Sequence, residues 1–352
     1  IAIDDASLQK IGRWPWSRSI HAKLLENLSN DKFKPKVIGF DISFFEKESL
    51  ETDNRFMLAI ETSKNVVLAS ENPLSPLLAI ELFRKSARSG FVDIIADTDG
   101  LTRKYKVANS FAAEILKIYL KKVDTLSTLS EVEREESEKP GIFRINFVGK
   151  PGSFLTISYW DILEEKIDLQ LLKDKIILVG ATAPSLQDIH LVPTSGGTGM
   201  SGVEIQANAI QTLIEKSFIN EDLTILTWFY ILIFSLIISL IFIFWGVGPG
   251  ITVSILLIFS YIVYCLFSFD KGVLKNLIYP PGAIILSTVS LIIYKYVSES
   301  RQKKFIRKAF SYYLSDNILK ELLDHPHKLK LGGGRKVITI LFSDIANFTT
   351  IS

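Results

Sequence analysis

Short apolar runs alternate with amphipathic stretches along residues 1–220, and three long apolar runs follow them. In the first region the apolar runs predict strands at Ile1–Ile3, Val37–Phe40, Val66–Ala69, Thr102–Val107, Phe143–Phe147 and Lys175–Val179. The amphipathic stretches predict helices at Arg18–Leu28, Asp53–Thr62, Asn109–Leu120, Ser158–Leu163 and Val203–Lys216. Strands and helices in alternation argue for an α/β domain with a mixed or largely parallel sheet. Lys121–Lys139 carries five glutamates among serines and threonines and reads as a solvated loop.

The long runs are of another kind. Leu223–Trp245 holds no charge, and at about 1.5 Å per residue it reaches across a bilayer core of roughly 30 Å. Gly246–Gly250 breaks the run, Ile251–Phe269 forms the second, and Leu277–Val297 the third after the polar turn Asp270-Lys271-Gly272. Pro280 and Pro281 are tolerable at the start of the third, where helix N–H groups have no intrahelical partner. Trp228, Trp245, Tyr279, Tyr294 and Tyr296 sit near run ends, as interfacial aromatics do. Three membrane spans are expected over 223–297. Arg301, Lys303, Lys304, Arg307 and Lys308 follow, with Glu299 the only acid nearby, so residues 298–352 are expected in the cytoplasm and 1–220 outside it. An anchor or export signal upstream of Ile1 is expected to take the first region there.

Lys295–Leu323 continues in a helical pattern, with Ile306, Phe310, Tyr313 and Leu314 on one face and Ser315-Asp316 expected to interrupt it. Such a helix leaving a membrane suits a lipid surface or pairing with its twin, and passing on a signal favours a homodimer. Residues 298–331 are read as a signalling helix and linker. Gly332-Gly333-Gly334 is a flexible joint before an apolar strand, Val337–Phe342, that ends on Asp344.

Composition adds limits. A mean hydropathy of +0.27 is high for a soluble chain of 352 residues. The formal charge of +2 gives no reason to expect a nucleic-acid partner. Cys265 is the only cysteine, so no intrachain disulfide forms.

Candidate chemistry in the first region is sparse. Asp4, Asp5 and Asp41 stand at the carboxyl ends of two expected strands, where open α/β sheets bind ligands; capping of the following turns is the plainer role. Trp14-Pro15-Trp16 suits packing of a helix start better than a ligand face. Gly196–Gly202 lacks the spacing and lysine of a nucleotide loop and reads as a mobile loop. The histidines are scattered without metal spacing. The region reads as a binding domain for an unidentified ligand.

Several blocks in order resemble the second type of CHASE sensor domain: Ile3–Leu8, Gly12–Arg18, Val37–Ile42, the D-x-D-G-x-x-R turn Asp97–Arg103, Ile177–Ala183 and Met200–Asn208. The resemblance covers about residues 1–220. It implies an extracytoplasmic sensor followed by three membrane helices in the cytoplasmic (inner) membrane, the layout read above from hydropathy.

Arg335–Ser352 resembles the opening of class III adenylate/guanylate cyclases, a strand ending F-S-D-I-x-x-F-T. That resemblance implies the first strand of a ferredoxin-like α+β catalytic domain and a reaction from ATP to cyclic AMP and pyrophosphate. It implies that Asp344 and the carbonyl of Ile345 hold divalent magnesium or manganese, and that Phe348 and Thr349 help seat the triphosphate. Hard oxygen donors suit those ions, and two metals suit in-line attack of a ribose hydroxyl on phosphorus. Asn347 stands where many members carry glycine, a substitution that positive φ tolerates. Further catalytic residues are expected beyond Ser352, so the chain as it stands is expected to be inactive by itself. A receptor with a non-cyclase output, or a cyclase fold kept for dimerisation, is the alternative. A transporter is disfavoured because the spans carry no intramembrane charge.

Overall fold

The computed structural model describes residues 1–30, 32–70, 81–120, 141–310, 337 and 339–342. Two compact units divide the chain: residues 1–228 with 260–277, and residues 229–259 with 278–352.

The first unit is built on a five-stranded sheet in the order β1-β8-β2-β3-β4. The strands are β1 (Ala2–Ile3), β2 (Val37–Asp41), β3 (Val66–Ser70), β4 (Arg88–Phe91) and β8 (Ile176–Ala181). Every neighbouring pair is parallel. Parallel sheets are covered on both faces, which explains why β2 and β3 read as unbroken apolar runs. Alternate residues serve opposite cores. Ile38, Phe40, Val66 and Leu68 face one cluster with α2 (Arg18–Leu28) and α3 (Leu50–Ser63). Val37, Val67 and Ala69 face the other, with α5 (Phe111–Tyr119) and α7 (Gly202–Glu215). Serine caps start three of these helices: Ser17, Ser49 and Ser110 each accept a backbone N–H in the first turn.

Shorter elements complete the unit: α1 (Asp5–Ile11), α4 (Glu81–Ser86) and α6 (Tyr159–Leu163). A second sheet has the antiparallel order β5-β6-β7, from Ile94–Ala96, Thr102–Lys106 and Ile142–Arg144. β7 was expected to reach Phe147. It stops earlier because the N–H groups of Asn146 and Val148 turn to side chains of α7, Thr212 Oγ1 at 3.0 Å and Asn208 Oδ1 at 2.9 Å. β9 (Ile189–His190) and β10 (Met200–Ser201) form an antiparallel pair. Beyond α7, β11 (Asn220–Glu221) pairs in parallel with β12 (Val273–Leu274).

Three helices among the described residues are long and apolar enough to cross a membrane: α8 (Thr224–Phe244), α9 (Val247–Asp270) and α10 (Tyr279–Phe310). α9 starts earlier than expected, taking Gly248-Pro249-Gly250 into its first turn, where proline removes no helix bond. Gly250 has a reason of its own, since a Cβ there would fall 2.3 Å from the Phe242 ring. Within the second unit, Ser254 Oγ and Thr288 Oγ1 lie 2.7 Å apart, and Ser287 donates to Ser235 at 3.2 Å. α10 runs through Arg301–Phe310 without a break. Residues 311–336, including the Ser315-Asp316 cap and the glycine joint, and the 121–140 acidic loop lie outside the described residues.

Val337–Phe342 was expected as a strand. Val337 and Thr339–Phe342 carry no strand assignment, and Ile340, Leu341 and Phe342 are exposed. A strand needs a ladder partner for its backbone groups, and no described residue supplies one.

Candidate functional site

The carboxyl edge of the parallel sheet gathers the first unit's titratable cluster. Asp41 ends β2 beside Gly180 of β8, and a Cβ at Gly180 would lie 3.2 Å from that of Asp41 and 2.6 Å from that of Val203. Glycine at 180 therefore lets β2, β8 and the start of α7 converge. Asp188 and His190 arrive from the segment leading into β9, two residues apart and so on one side of an extended chain. Asp188 Oδ1 and His190 Nε2 are 3.2 Å apart. The Asp188 carboxylate also occupies the space a side chain at Gly202 would need, at 2.5 Å, and its carbonyl accepts from the Gly202 N–H at 3.1 Å. The carboxylate thus sits at the amino terminus of α7, where the helix dipole favours negative charge.

This geometry sets the protonation states. Asp41 keeps part of its surface accessible but is surrounded by protein. Burial pushes its carboxyl up to about 7, the charge of Asp188 pushes the same way, and His190 opposes both. The hydrogen bond that His190 donates to Asp188 raises its imidazole above the usual range against a desolvation penalty, with the charges of Asp188 and Asp41 adding to the rise. Asp41 and His190 therefore both hold a proton more readily than their unperturbed forms.

Behind it lies a buried polar pair. Tyr105 Oη donates to Gln206 Oε1 at 2.6 Å, and Gln206 Nε2 donates to the Val92 carbonyl at 3.2 Å. Burial raises the Tyr105 hydroxyl above the ordinary phenol value, and the charges of Asp41 and Asp93 act in the same direction. A separate open groove of about 580 Å³ runs between β8 and α7, lined by Leu178, Val203, Ala207 and Ile210 among others; Asp41, Asp188 and His190 do not line it.

Other sequence candidates fall into structural roles. Asp4 caps α1, accepting from Ser7 N at 2.8 Å and from Ser158 Oγ at 3.0 Å, and Asp5 lies exposed in the same first turn. Trp14 and Trp16, joined through a cis Trp14–Pro15 peptide, pack edge to face with centroids 5.2 Å apart. Both rings flank His21, which is buried and bonded through Nδ1 to Tyr159 Oη at 2.8 Å. Burial, with the Arg18 charge, lowers His21 to about 3, so it is a neutral core residue. In the D-x-D-G-x-x-R turn, Arg103 Nη1 reaches Asp97 at 2.9 Å and Nη2 reaches Asp99 at 2.7 Å. The preceding residue, Thr102, donates its N–H to the Leu191 carbonyl at 2.8 Å, so the turn buttresses the chain just after His190. The glycine-rich stretch is a hydrogen-bonded connection: Ser195 Oγ donates to Val192 O and Thr198 Oγ1 to Ser195 O, each at 2.8 Å.

Asp344, Ile345, Phe348 and Thr349 lie outside the described residues. Among the described residues no group of three histidine, cysteine or acidic side chains is placed to hold a metal ion. Asp188, His190, Tyr105 and Gln206 were not singled out from sequence. The Asp-x-His spacing was the available signal for the first two, and Gln206 lay unread inside a recognised block.

Comparison with known proteins agrees with the sensor-like architecture. The CHASE2 domain family matches residues 1–247, which covers the parallel sheet, its helices and the first apolar helix. No curated protein and no solved structure matches the chain. With about two thirds of its length matched and three membrane-length helices following the α/β fold, the chain belongs to the CHASE2 family of extracytoplasmic sensor domains and is a multi-pass membrane sensor.

Proposed function

We propose that this chain is the sensing and membrane-relay part of a receptor nucleotide cyclase in the cytoplasmic membrane, working as a homodimer and forming cyclic AMP from ATP. The observation that carries the reading is the closing sequence Phe342-Ser343-Asp344-Ile345 with Phe348-Thr349, set after three membrane-length helices and a basic flank. In this reading an external stimulus acts on the α/β domain, the spans carry the change inward, and α10 continues it toward the output.

The donor set fits a hard cation, since the Asp344 carboxylate and the Ile345 carbonyl both offer oxygen. A bound magnesium or manganese ion supplies charge neutralisation at the triphosphate and activation of the ribose hydroxyl. Asp344 would hold that cation through its carboxylate, while Phe348 and Thr349 would shape the seat of the phosphates.

The test is cyclic-nucleotide formation in membranes of cells expressing the protein that carries this chain, with ATP and GTP as competing substrates. Asp344→Ala is expected to lower the rate at least about a hundredfold without changing membrane insertion. Full activity in that variant excludes the metal role. No cyclase activity in the unaltered protein leaves a membrane sensor with a non-catalytic output.

A further inference from the structure

The end of the α/β domain is fastened to the loop between the second and third spans. α7 ends at Glu215, and Phe218 is buried in the α5–α7 core with its ring 5.6 Å from that of Phe143. The chain then forms β11 and pairs with β12 in the register Asn220 to Val273 and Glu221 to Leu274. Asn220 N–H donates to Gly272 O at 2.8 Å, and Asp222 N–H to Leu274 O at 3.0 Å. Gly272 is required at its place. It has φ of +78°, and a Cβ there would meet the Phe218 carbonyl at 2.7 Å.

Charges lock this short ladder from both sides. Arg144, the last residue of β7, pairs with Glu221. Asp222 pairs with Lys275 at 3.0 Å, and the two side chains are only 8% and 7% exposed. Lys275 Nζ lies 5.0 Å from the Tyr264 ring, and Tyr261 Oη donates to the Asn276 carbonyl at 3.0 Å. A two-residue ladder contributes little alone, whereas removing one member of a buried ion pair leaves an uncompensated charge. Asp222 precedes α8 by two residues and Lys275 precedes α10 by four.

We propose that this clasp is the mechanical coupling through which a change in the sensor domain reaches the third span. β7 pulls on β11 through Arg144 and Glu221, β11 pulls on β12 through the ladder and the Asp222–Lys275 pair, and β12 leads directly into α10. The direct path bypasses the length of α8 and α9. The coupling rests on the membrane-sensor reading and does not depend on the output being a cyclase.

Hydrogen exchange on the full chain in lipid nanodiscs tests it. Lys275→Met is expected to raise exchange at Val273–Leu274 and at Gly282–Leu286 of α10 by at least about tenfold, while β2 and β8 stay within about twofold. Arg144→Ala is expected to accelerate exchange at Gly282–Leu286 in the native background and to add nothing in the Lys275→Met background. Restored protection in the charge-swapped pair Asp222→Lys with Lys275→Asp supports the same conclusion. Opening of β12 with α10 unchanged overturns the proposal and leaves a loop anchor. An Arg144→Ala effect of equal size in both backgrounds also overturns it. If Lys275→Met fails to insert, Lys275→Arg and Asp222→Glu, which keep charge but alter reach, are judged by the same two criteria. Loss of protection in the apolar centres of α8 and α9 of the unaltered chain would instead count against the membrane reading.

Discussion

Asp188 holds His190 through a 3.2 Å contact at the carboxyl edge of the sheet, and both charges act on Asp41 at the end of β2. Asp41 and His190 each bind a proton more tightly in the folded chain than in the unfolded one. For Asp41 the contribution is fullest below the unfolded carboxyl value of 3.8 and is lost as pH rises to about 7. For His190 it is present below the unfolded value of 6.5 and is lost as pH rises through the elevated folded value. Asp41→Asn is therefore expected to stabilise the sensor domain at about pH 8, by on the order of 2 kcal/mol, and to flatten its loss of stability above about pH 5. Denaturant unfolding followed by tryptophan fluorescence across pH checks this, and an unchanged slope would refute the assignment.

His21 tilts the same curve the opposite way. Its folded value of about 3 lies below the unfolded 6.5, so its contribution is full above 6.5 and is lost as pH falls toward 3. In the unaltered chain the two slopes oppose each other in mildly acidic solution. His21→Gln is expected to lose about 1–3 kcal/mol at neutral pH, through the Tyr159 bond and the aromatic nest, while becoming less acid-sensitive. The Asp41 and His21 variants should thus shift the pH of greatest stability in opposite directions, and a shift in one direction for both would contradict the pair of assignments.

Tyr105→Phe keeps the ring packed against Phe143 but takes the donor from Gln206 Oε1 in a dry interior. The expected cost is about 1–3 kcal/mol in chemical denaturation, because a buried acceptor is left short of a partner. A neutral result would mean that water reaches Gln206.

Gly90→Ala places a Cβ 2.6 Å from the backbone of Ser110 and Phe111, at the first turn of α5. Backbone cannot rotate aside as a side chain can, so β4 and α5 must separate. A loss of about 1–3 kcal/mol, seen as a lower melting temperature, is expected. Exchange protection should fall first in β3–β4, and uniform loss across the sheet would argue against a local clash.

Legibility from sequence followed the physics of burial. β2, β3 and β8 were readable because both faces of a parallel sheet are covered and all but their end positions and glycines are apolar. β4 was not, since Arg-Ser-Gly-Phe has no strand pattern and owes its conformation to pairing with β3 and to the space at Gly90. The two-residue strands β9 to β12 are too short for any period to register. At the site, Asp41 was visible as a strand-end carboxylate, whereas its partners Asp188 and His190 lie far along the chain, just before and at the end of the two-residue strand β9. The apolar helices were the plainest signal, because length and absence of charge suffice.

The parallel pairing of β11 with β12 also orders events during biogenesis. The two strands flank a complete out-and-back passage made by α8 and α9, so neither can meet the other until both helices have been threaded through the bilayer. Closure of Asp222 onto Lys275 then reports that the passage is finished. A chain whose second span failed to return would carry Lys275 on the wrong side and leave Asp222 without its ion-pair partner.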